Sequence, residues 1–228
     1  MKILILGHNG MLGGAVTRIL PEADTCPYRY PSPEFKEFVQ TYDFIINCIG
    51  RIPQRKNKDF SLNSHLPIYL ERFTKARIIH PSSDCENDDT EYGISKRAAT
   101  DWICAYGERT KIIQCSIIGI DREKASLLSW VLAQAGPIPG YVNARWSGIT
   151  SIKWARIAKD MILNWDIYNQ REIYHTYPTT KYELIKSICR IFGKDNEVFE
   201  VEKGEDKVML GSYVGTIEKQ LEEIYGLR

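Results

Sequence analysis

The chain of 228 residues is 43% hydrophobic and 26% charged, the balance of a soluble globular protein with room for one generous domain or a domain and a small appendage. Thirty basic residues against 29 acidic ones leave a net charge of +1, so there is no global field of the kind that draws nucleic acid or a membrane surface. The expected partner is a small, locally recognised ligand, with no nucleic acid and no membrane.

KILILG, residues 2–7, is a β-branched and leucine run that ends at glycine, and Met11, Leu12, Val16, Ile19 and Leu20 follow at helical spacing. That reads as strand, tight turn, helix. A second strand is expected over residues 25–30. DFIINCIG (43–50), ARIIHPSS (76–83) and KIIQCSIIG (111–119) are apolar on both faces, as strands covered by helices on both sides must be. Helix-like segments fall between them around residues 61–74 and 92–106. Strands alternating with helices predict a doubly wound, mostly parallel α/β sheet.

After about Gly119 the pattern changes. GPIPGYVNARWSG (136–148) is rich in glycine, proline and aromatics, and it precedes a helix-like run (151–164), a strand-like run (171–177) and a second helix-like run (180–193). The last stretch again reads as helix, with Ile217, Leu221, Ile224 and Tyr225 on one face. The expected division is a dinucleotide-binding core over residues 1–120 and, over 121–228, a small α+β C-terminal lobe interleaved with that core.

GHNGMLG, with Gly7, Gly10 and Gly13, joins the first strand to the first helix. Glycine at the turn permits backbone angles closed to other residues, glycine at the helix start lets a pyrophosphate approach the amides, and the third lets helix and sheet pack closely. The helix N-terminus then favours the anion. The spacing alone is a weak signal, but its place after the first strand and before the first helix is the context that supports dinucleotide binding over a ligand-free turn. An acidic residue at the end of the second strand would select NAD, whereas an arginine there pairs with a 2′-phosphate. The sequence offers Arg29 and no acid between Thr25 and Pro33, which points to NADP with NAD open, against the alternative that Arg29 is a plain surface residue.

YGISK places Tyr92 and Lys96 at positions i and i+4 of a helix-like segment, on one face. A neighbouring ammonium favours the phenolate and is expected to draw the tyrosine down from its usual value of about 10, which suits a general acid that protonates a carbonyl. HPSSD, at the end of the preceding strand, supplies two hydroxyls for the same oxygen, Ser82 and Ser83.

The glycine turn, the strand-end NCIG (47–50), SSDC (82–85) and YGISK, in that order, resemble the extended short-chain dehydrogenase/reductases, and within them the dTDP-4-dehydrorhamnose reductase group of sugar-nucleotide reductases. SLLSWVLAQ, GYVNARWSGIT and KYELIKSI are similar to that group's sugar-nucleotide-binding part, so the resemblance spans most of the chain. It implies a Rossmann-type core and NAD(P)H-dependent reduction of the 4-keto group of a nucleotide-linked 4-keto-6-deoxyhexose. By the match, Ser83 takes the hydroxyl role, Tyr92 the acid, and Lys96 the tyrosine's modulator and ribose anchor. The cofactor-binding set becomes Gly7, Asn9, Gly10, Met11, Leu12, Gly13, Arg29, Cys48, Ile49, Gly50, Tyr92 and Lys96. One departure stands out: only CENDDTE (85–91) separates Asp84 from Tyr92, where family members carry a longer loop that helps wall the substrate site. The chain is also short for the family, a trimmed version. A non-catalytic NADP-binding regulatory subunit is therefore an alternative.

Cys85 stands two positions after Ser83, where bifunctional epimerase/reductases such as GDP-fucose synthase carry an acid/base cysteine. A 3- or 3,5-epimerase with 4-reductase activity is a further alternative, against a structural role for Cys85. Trp146 is either a platform for the base or sugar or a packing anchor, and Asn143 a hydrogen-bonding group for the diphosphate or sugar. His80 reads as a satisfied core residue. The six cysteines form no C-x-x-C and suggest a reducing compartment, and no cluster has metal-ligand spacing. The first strand-like run starts at Lys2, leaving no room for a signal peptide, and no apolar stretch approaches the roughly 20 residues that cross a bilayer. A cytoplasmic protein is expected, with a homodimer as one open form of assembly.

Overall fold

The chain is described over residues 1–227 by a computed structural model. Its helices are α1 (Met11–Ile19), α2 (Pro33–Phe38), α3 (Leu62–Phe73), α4 (Glu91–Tyr106), α5 (Leu127–Ala133), α6 (Ser151–Leu163), α7 (Lys181–Phe192) and α8 (Ile217–Gly226). The first five strands are β1 (Ile3–Leu6), β2 (Asp24–Thr25), β3 (Phe44–Asn47), β4 (Arg77–Ser82) and β5 (Thr110–Gln114). β6 (Ile117–Ile118), β7 (Ile138–Tyr141), β8 (Arg145–Trp146), β9 (Ile149–Thr150), β10 (Arg171–His175), β11 (Thr179–Thr180), β12 (Val198–Val201) and β13 (Ser212–Tyr213) follow.

β1, β3 and β5 are buried at every position and β4 at all but its first: their apolar residues point to both faces, and the polar ones among them, Asn47, His80, Ser82, Thr110, Lys111 and Gln114, are enclosed by hydrogen-bond partners. They form a seven-stranded sheet in the order β13-β10-β5-β4-β3-β1-β2, with parallel pairing from β2 through β5. This is the mostly parallel, Rossmann-type α/β architecture that the alternation predicts. Chain order reverses between β1 and β3, and in such sheets the crevice beyond the strand ends at that reversal is where ligands bind. The core beside it joins Leu4, Leu6, Ile45 and Ile78 to Phe35, Val39, Leu66 and Leu70, all fully buried.

Local chemistry sets the element boundaries. Ser32 accepts the Phe35 N–H at 3.2 Å and Pro33 opens α2, while Thr90 accepts the Gly93 N–H at 3.1 Å at the start of α4. α7 is capped by Thr180 and closed by Gly193 at φ 64°, a left-handed position that glycine fills without strain. Some expectations shift. The second strand is only Asp24–Thr25, ending where the expected one began, and Pro27 and Pro31 limit extended pairing beyond it. The run 111–119 is two strands, β5 and the short β6, because β6 leaves the sheet to pair with β9.

Two compact units are built from the chain. One contains residues 1–114 and 155–172; the other contains 115–154 and, of the described residues, 173–227. The division expected at residue 120 thus meets a break after Gln114, and β10 begins in the first unit with Arg171 and ends in the second. Within the second unit β7 pairs with β12 and β6 with β9 in parallel, β8 pairs with β11 antiparallel, and α7 packs on α5, α8 and β7. Among the described residues no helix is long and apolar enough to cross a membrane.

Candidate active site

The three glycines each sit where a side chain would collide or a cap would intrude. Gly7 has φ 77°, and a Cβ there would stand 2.9 Å from the Cys48 carbonyl oxygen at the end of β3. On Gly13 a Cβ would stand 2.1 Å from the Gly7 carbonyl oxygen, so the helix could not approach the turn. Gly10 is the N-cap of α1, gives its N–H to the Gly7 carbonyl at 2.9 Å, and brings no side chain to cap the first turn. No acidic residue occupies that turn either. The result is a bare, electropositive helix start at the sheet's reversal point, a cradle that fits a dinucleotide pyrophosphate. Asn9, Met11 and Leu12 lie within this cradle.

Across the reversal, residues 48–50 turn away from β3. Asn47, fully buried, accepts the Ile49 N–H at 3.1 Å through its Oδ1 and shares a 3.1 Å hydrogen bond with His80 Nδ1. Asn63 on α3 accepts the Arg51 N–H at 2.7 Å, donates to the Arg51 carbonyl at 3.0 Å and donates to Ser95 Oγ at 3.1 Å. Ser95 in turn donates to the Tyr92 carbonyl at 2.7 Å. The turn carrying Cys48, Ile49 and Gly50 is thereby tied to the helix of YGISK. A Cβ on Gly50 would lie 3.9 Å from Lys96 Nζ, which places the lysine beside this turn.

Ser83, Tyr92 and Lys96 come together from the end of β4 and the start of α4. Ser83 is 8% exposed; its Oγ donates to Asp84 Oδ1 at 2.9 Å and accepts the Cys85 N–H at 3.1 Å. Tyr92 is pushed up to about 12 by burial, and Asp84, Cys85 and Glu86 add to the rise, while a hydrogen bond to Ser83 works against it. The expected downward pull from Lys96 is absent from this balance. Burial lowers Lys96, 6% exposed, to about 8 despite the carboxylate of Glu86, and its ammonium donates to the Pro81 carbonyl at 3.0 Å. Phe60 closes on the Tyr92 ring edge-on, with centroids 5.7 Å apart. Tyr92 therefore keeps its proton through neutral pH, and Lys96 sits close to its own midpoint.

Other residues land less centrally. Arg29 is exposed in the loop after β2, with its carbonyl accepting the Ser32 N–H at 2.9 Å. Cys85 is half-buried, its Sγ 3.6 Å from Asp84 Oδ1. In the second unit Asn143 is exposed, but Trp146 is 5% exposed, donates its indole N–H to Ser116 Oγ at 2.6 Å and packs over Gly148, the geometry of the anchor rather than the platform. His80 is only half satisfied: Nδ1 meets Asn47, while Nε2 is buried without a partner, and burial drives the ring well toward its neutral form. Sequence reasoning missed Asn47, Asn63, Ser95, Glu86, Gln114 and Arg171, since each acts through a partner distant in sequence. Among the described residues, no group of three or more His, Cys, Asp or Glu side chains is placed to hold a metal ion.

A mostly parallel sheet with its reversal between β1 and β3 and a glycine turn at that reversal define the class of a Rossmann-type α/β fold. Solved structures share it over the whole chain. A dTDP-4-dehydrorhamnose reductase from Clostridium acetobutylicum matches 100% of this chain and 99% of its own with a TM-score of 0.77 at 16% identity. The dTDP-4-dehydrorhamnose reductase of Bacillus anthracis, solved in complex with NADP, matches the same shares with a TM-score of 0.78 at 16% identity. Among curated proteins, a UDP-2-acetamido-2,6-β-L-arabino-hexul-4-ose reductase from Pseudomonas aeruginosa is 29% identical over 119 residues, 47% of this chain. That match spans 32% of the relative's length, about a third. No family model matches the sequence.

Proposed function

We propose that this chain is an NADPH-dependent reductase acting on the 4-keto group of a nucleotide-linked 6-deoxyhexose. The observation that carries the reading is the convergence of Ser83, Tyr92 and Lys96 beside the Gly50 turn, next to a glycine cradle fit for a pyrophosphate. When bound, the nicotinamide cofactor supplies hydride to the keto carbon. The protein's part is the proton and its placement. Tyr92, protonated at neutral pH, gives its proton to the carbonyl oxygen, and Ser83, turning its hydroxyl proton from Asp84 Oδ1 to the substrate, donates a hydrogen bond that holds that oxygen. Lys96, charged below its midpoint of about 8 and placed beside the turn of residues 48–50, is assigned to the cofactor ribose.

Gly7, Gly10 and Gly13 hold the diphosphate, with Asn9, Met11 and Leu12 in the same cradle; Cys48, Ile49 and Gly50 line the nicotinamide side. Arg29 is assigned the 2′-phosphate and Asn143 a substrate contact, with Trp146 a packing anchor on Ser116 and Gly148. The solved relative in complex with NADP and the curated relative's UDP-linked keto-sugar substrate favour this cofactor and substrate class. Tyr92→Phe tests it: NADPH oxidation measured with dTDP- and UDP-linked 4-keto-6-deoxy sugars, with and without a 2-acetamido group, should fall by about 10² to 10⁴. Undiminished turnover in that variant overturns the assignment.

A further inference from the structure

The seven residues from Cys85 to Glu91 that join Asp84 to Tyr92 contain a carboxylate, Glu86, that is 3% exposed. Both of its oxygens are engaged. Oε1 accepts from the hydroxyls of Ser82 on β4 and Thr100 on α4, and Oε2 accepts from Gln114 Nε2 at 3.1 Å and pairs with Arg171 at 2.9 Å. Its main-chain carbonyl accepts from Arg97 at 2.7 Å. The cluster closes back on the site: Gln114 Nε2 also donates to the Ser83 carbonyl at 3.0 Å, and Arg171 fixes that amide by donating to its Oε1 at 2.8 and 2.6 Å. A buried charge is costly unless fully paired, and an apolar residue could fill the same space without that cost. A carboxylate anchored to four elements beside Ser83, Tyr92 and Lys96 calls for a role in the site.

We infer that Glu86 is a positioning residue: through Gln114, which Arg171 fixes, it holds the Ser83 strand end, through Thr100 and Arg97 it holds the helix of Tyr92 and Lys96, and its charge favours the Lys96 ammonium. The inference rests on the proposed reductase reading for the reaction it serves. The lock lets a link this short keep the hydroxyl, the phenol and the ammonium in register. The charged and titratable groups facing Glu86 are Arg171 from β10 and Lys96, Arg97, Cys104 and Tyr92 from α4, with Asp84 beside it on the link. β4 and β5 turn uncharged groups toward it, Ser82 and Gln114.

Glu86→Gln keeps the shape and removes the charge. With ¹³Cε-labelled lysine, the Lys96 signal being identified by its loss in Lys96→Met, the Lys96 midpoint should drop below that of the unaltered protein. With a turned-over keto-sugar nucleotide, kcat should fall about tenfold or more while KM for NADPH stays within about threefold. Where Glu86→Gln loses its circular dichroism, the paired Glu86→Met, Arg171→Met protein replaces the ion pair by apolar volume, and the same titration is read there. A folded variant with an unmoved Lys96 midpoint, or one with a lowered midpoint and unchanged kcat, overturns the inference. The titration needs no substrate, so a protein that reduces no keto-sugar nucleotide refutes the reductase reading while the Lys96 midpoint still judges the role of Glu86.

Discussion

Lys96 and Tyr92 are displaced in opposite directions by one cause, burial, and their consequences for stability have opposite signs. Lys96 falls from 10.5 to about 8, so between those values the unfolded chain holds a proton that the folded chain has released, and stability rises with pH through that window. Tyr92 rises from 10.0 to about 12, so above about 10 the folded chain keeps a proton the unfolded chain loses, and stability falls. Urea unfolding of the cofactor-free protein should therefore show, relative to Lys96→Met, a gain from about pH 8 to about 10. Relative to Tyr92→Phe it should show a loss above about pH 10; equal pH profiles for the variants and the parent contradict both shifts. Tyr92 and Lys96 were legible in YGISK because helical spacing alone puts them on one face. The direction of the tyrosine shift was not, since it depends first on burial of the phenol and then on Cys85, Asp84 and Glu86 beside it, all properties of the folded surroundings.

At the level of elements, the link before α4 shows how a short connection is made to fit. A Cβ on Gly93 would lie 2.3 Å from the Cys85 carbonyl oxygen and 2.6 Å from that of Asp88, backbone atoms that cannot step aside alone. Gly93→Ala should cost about 1 to 3 kcal/mol in denaturant unfolding by forcing the link off the helix, and an unchanged midpoint would show the approach to be looser. Arg171→Met leaves the Glu86 carboxylate buried without its cation. The expected loss is roughly 3 kcal/mol, the low end for a broken buried pair because the Arg171 side chain keeps 38% exposure. Denaturant unfolding at neutral pH measures it. The long buried strands and helices were readable from periodicity, whereas α2 escaped it at six residues and β2 was displaced to Asp24–Thr25. A short element is held by its neighbours and caps more than by its own pattern, although Ser32-Pro33 was a legible start signal.

For the whole molecule, NADPH binding should appear as added stability whatever the substrate proves to be. At 100 times its dissociation constant, a ligand bound only by the folded chain adds about 2.7 kcal/mol, readable as a raised melting temperature. Gly10→Asp sets a Cβ 3.3 Å from the Gly7 carbonyl oxygen and an N-cap carboxylate on α1, so the apo melting temperature should fall slightly, and the NADPH gain should be abolished by a carboxylate where the pyrophosphate approaches. An NADPH gain that survives this change removes the cradle from α1. The sequence by itself determined the alternation of strands and helices, the glycine cradle and the Tyr92–Lys96 face, because each is written in spacings of a few residues. Only the tertiary structure decided that Trp146 is enclosed by Ser116 and Gly148, that Asn63 and Ser95 tie the Gly50 turn to α4, and that Glu86 meets Gln114 and Arg171. Those pairs lie 28 and 85 residues apart for Glu86, and no local pattern encodes them, since hydrogen-bond and charge partners are chosen by the packing of whole elements.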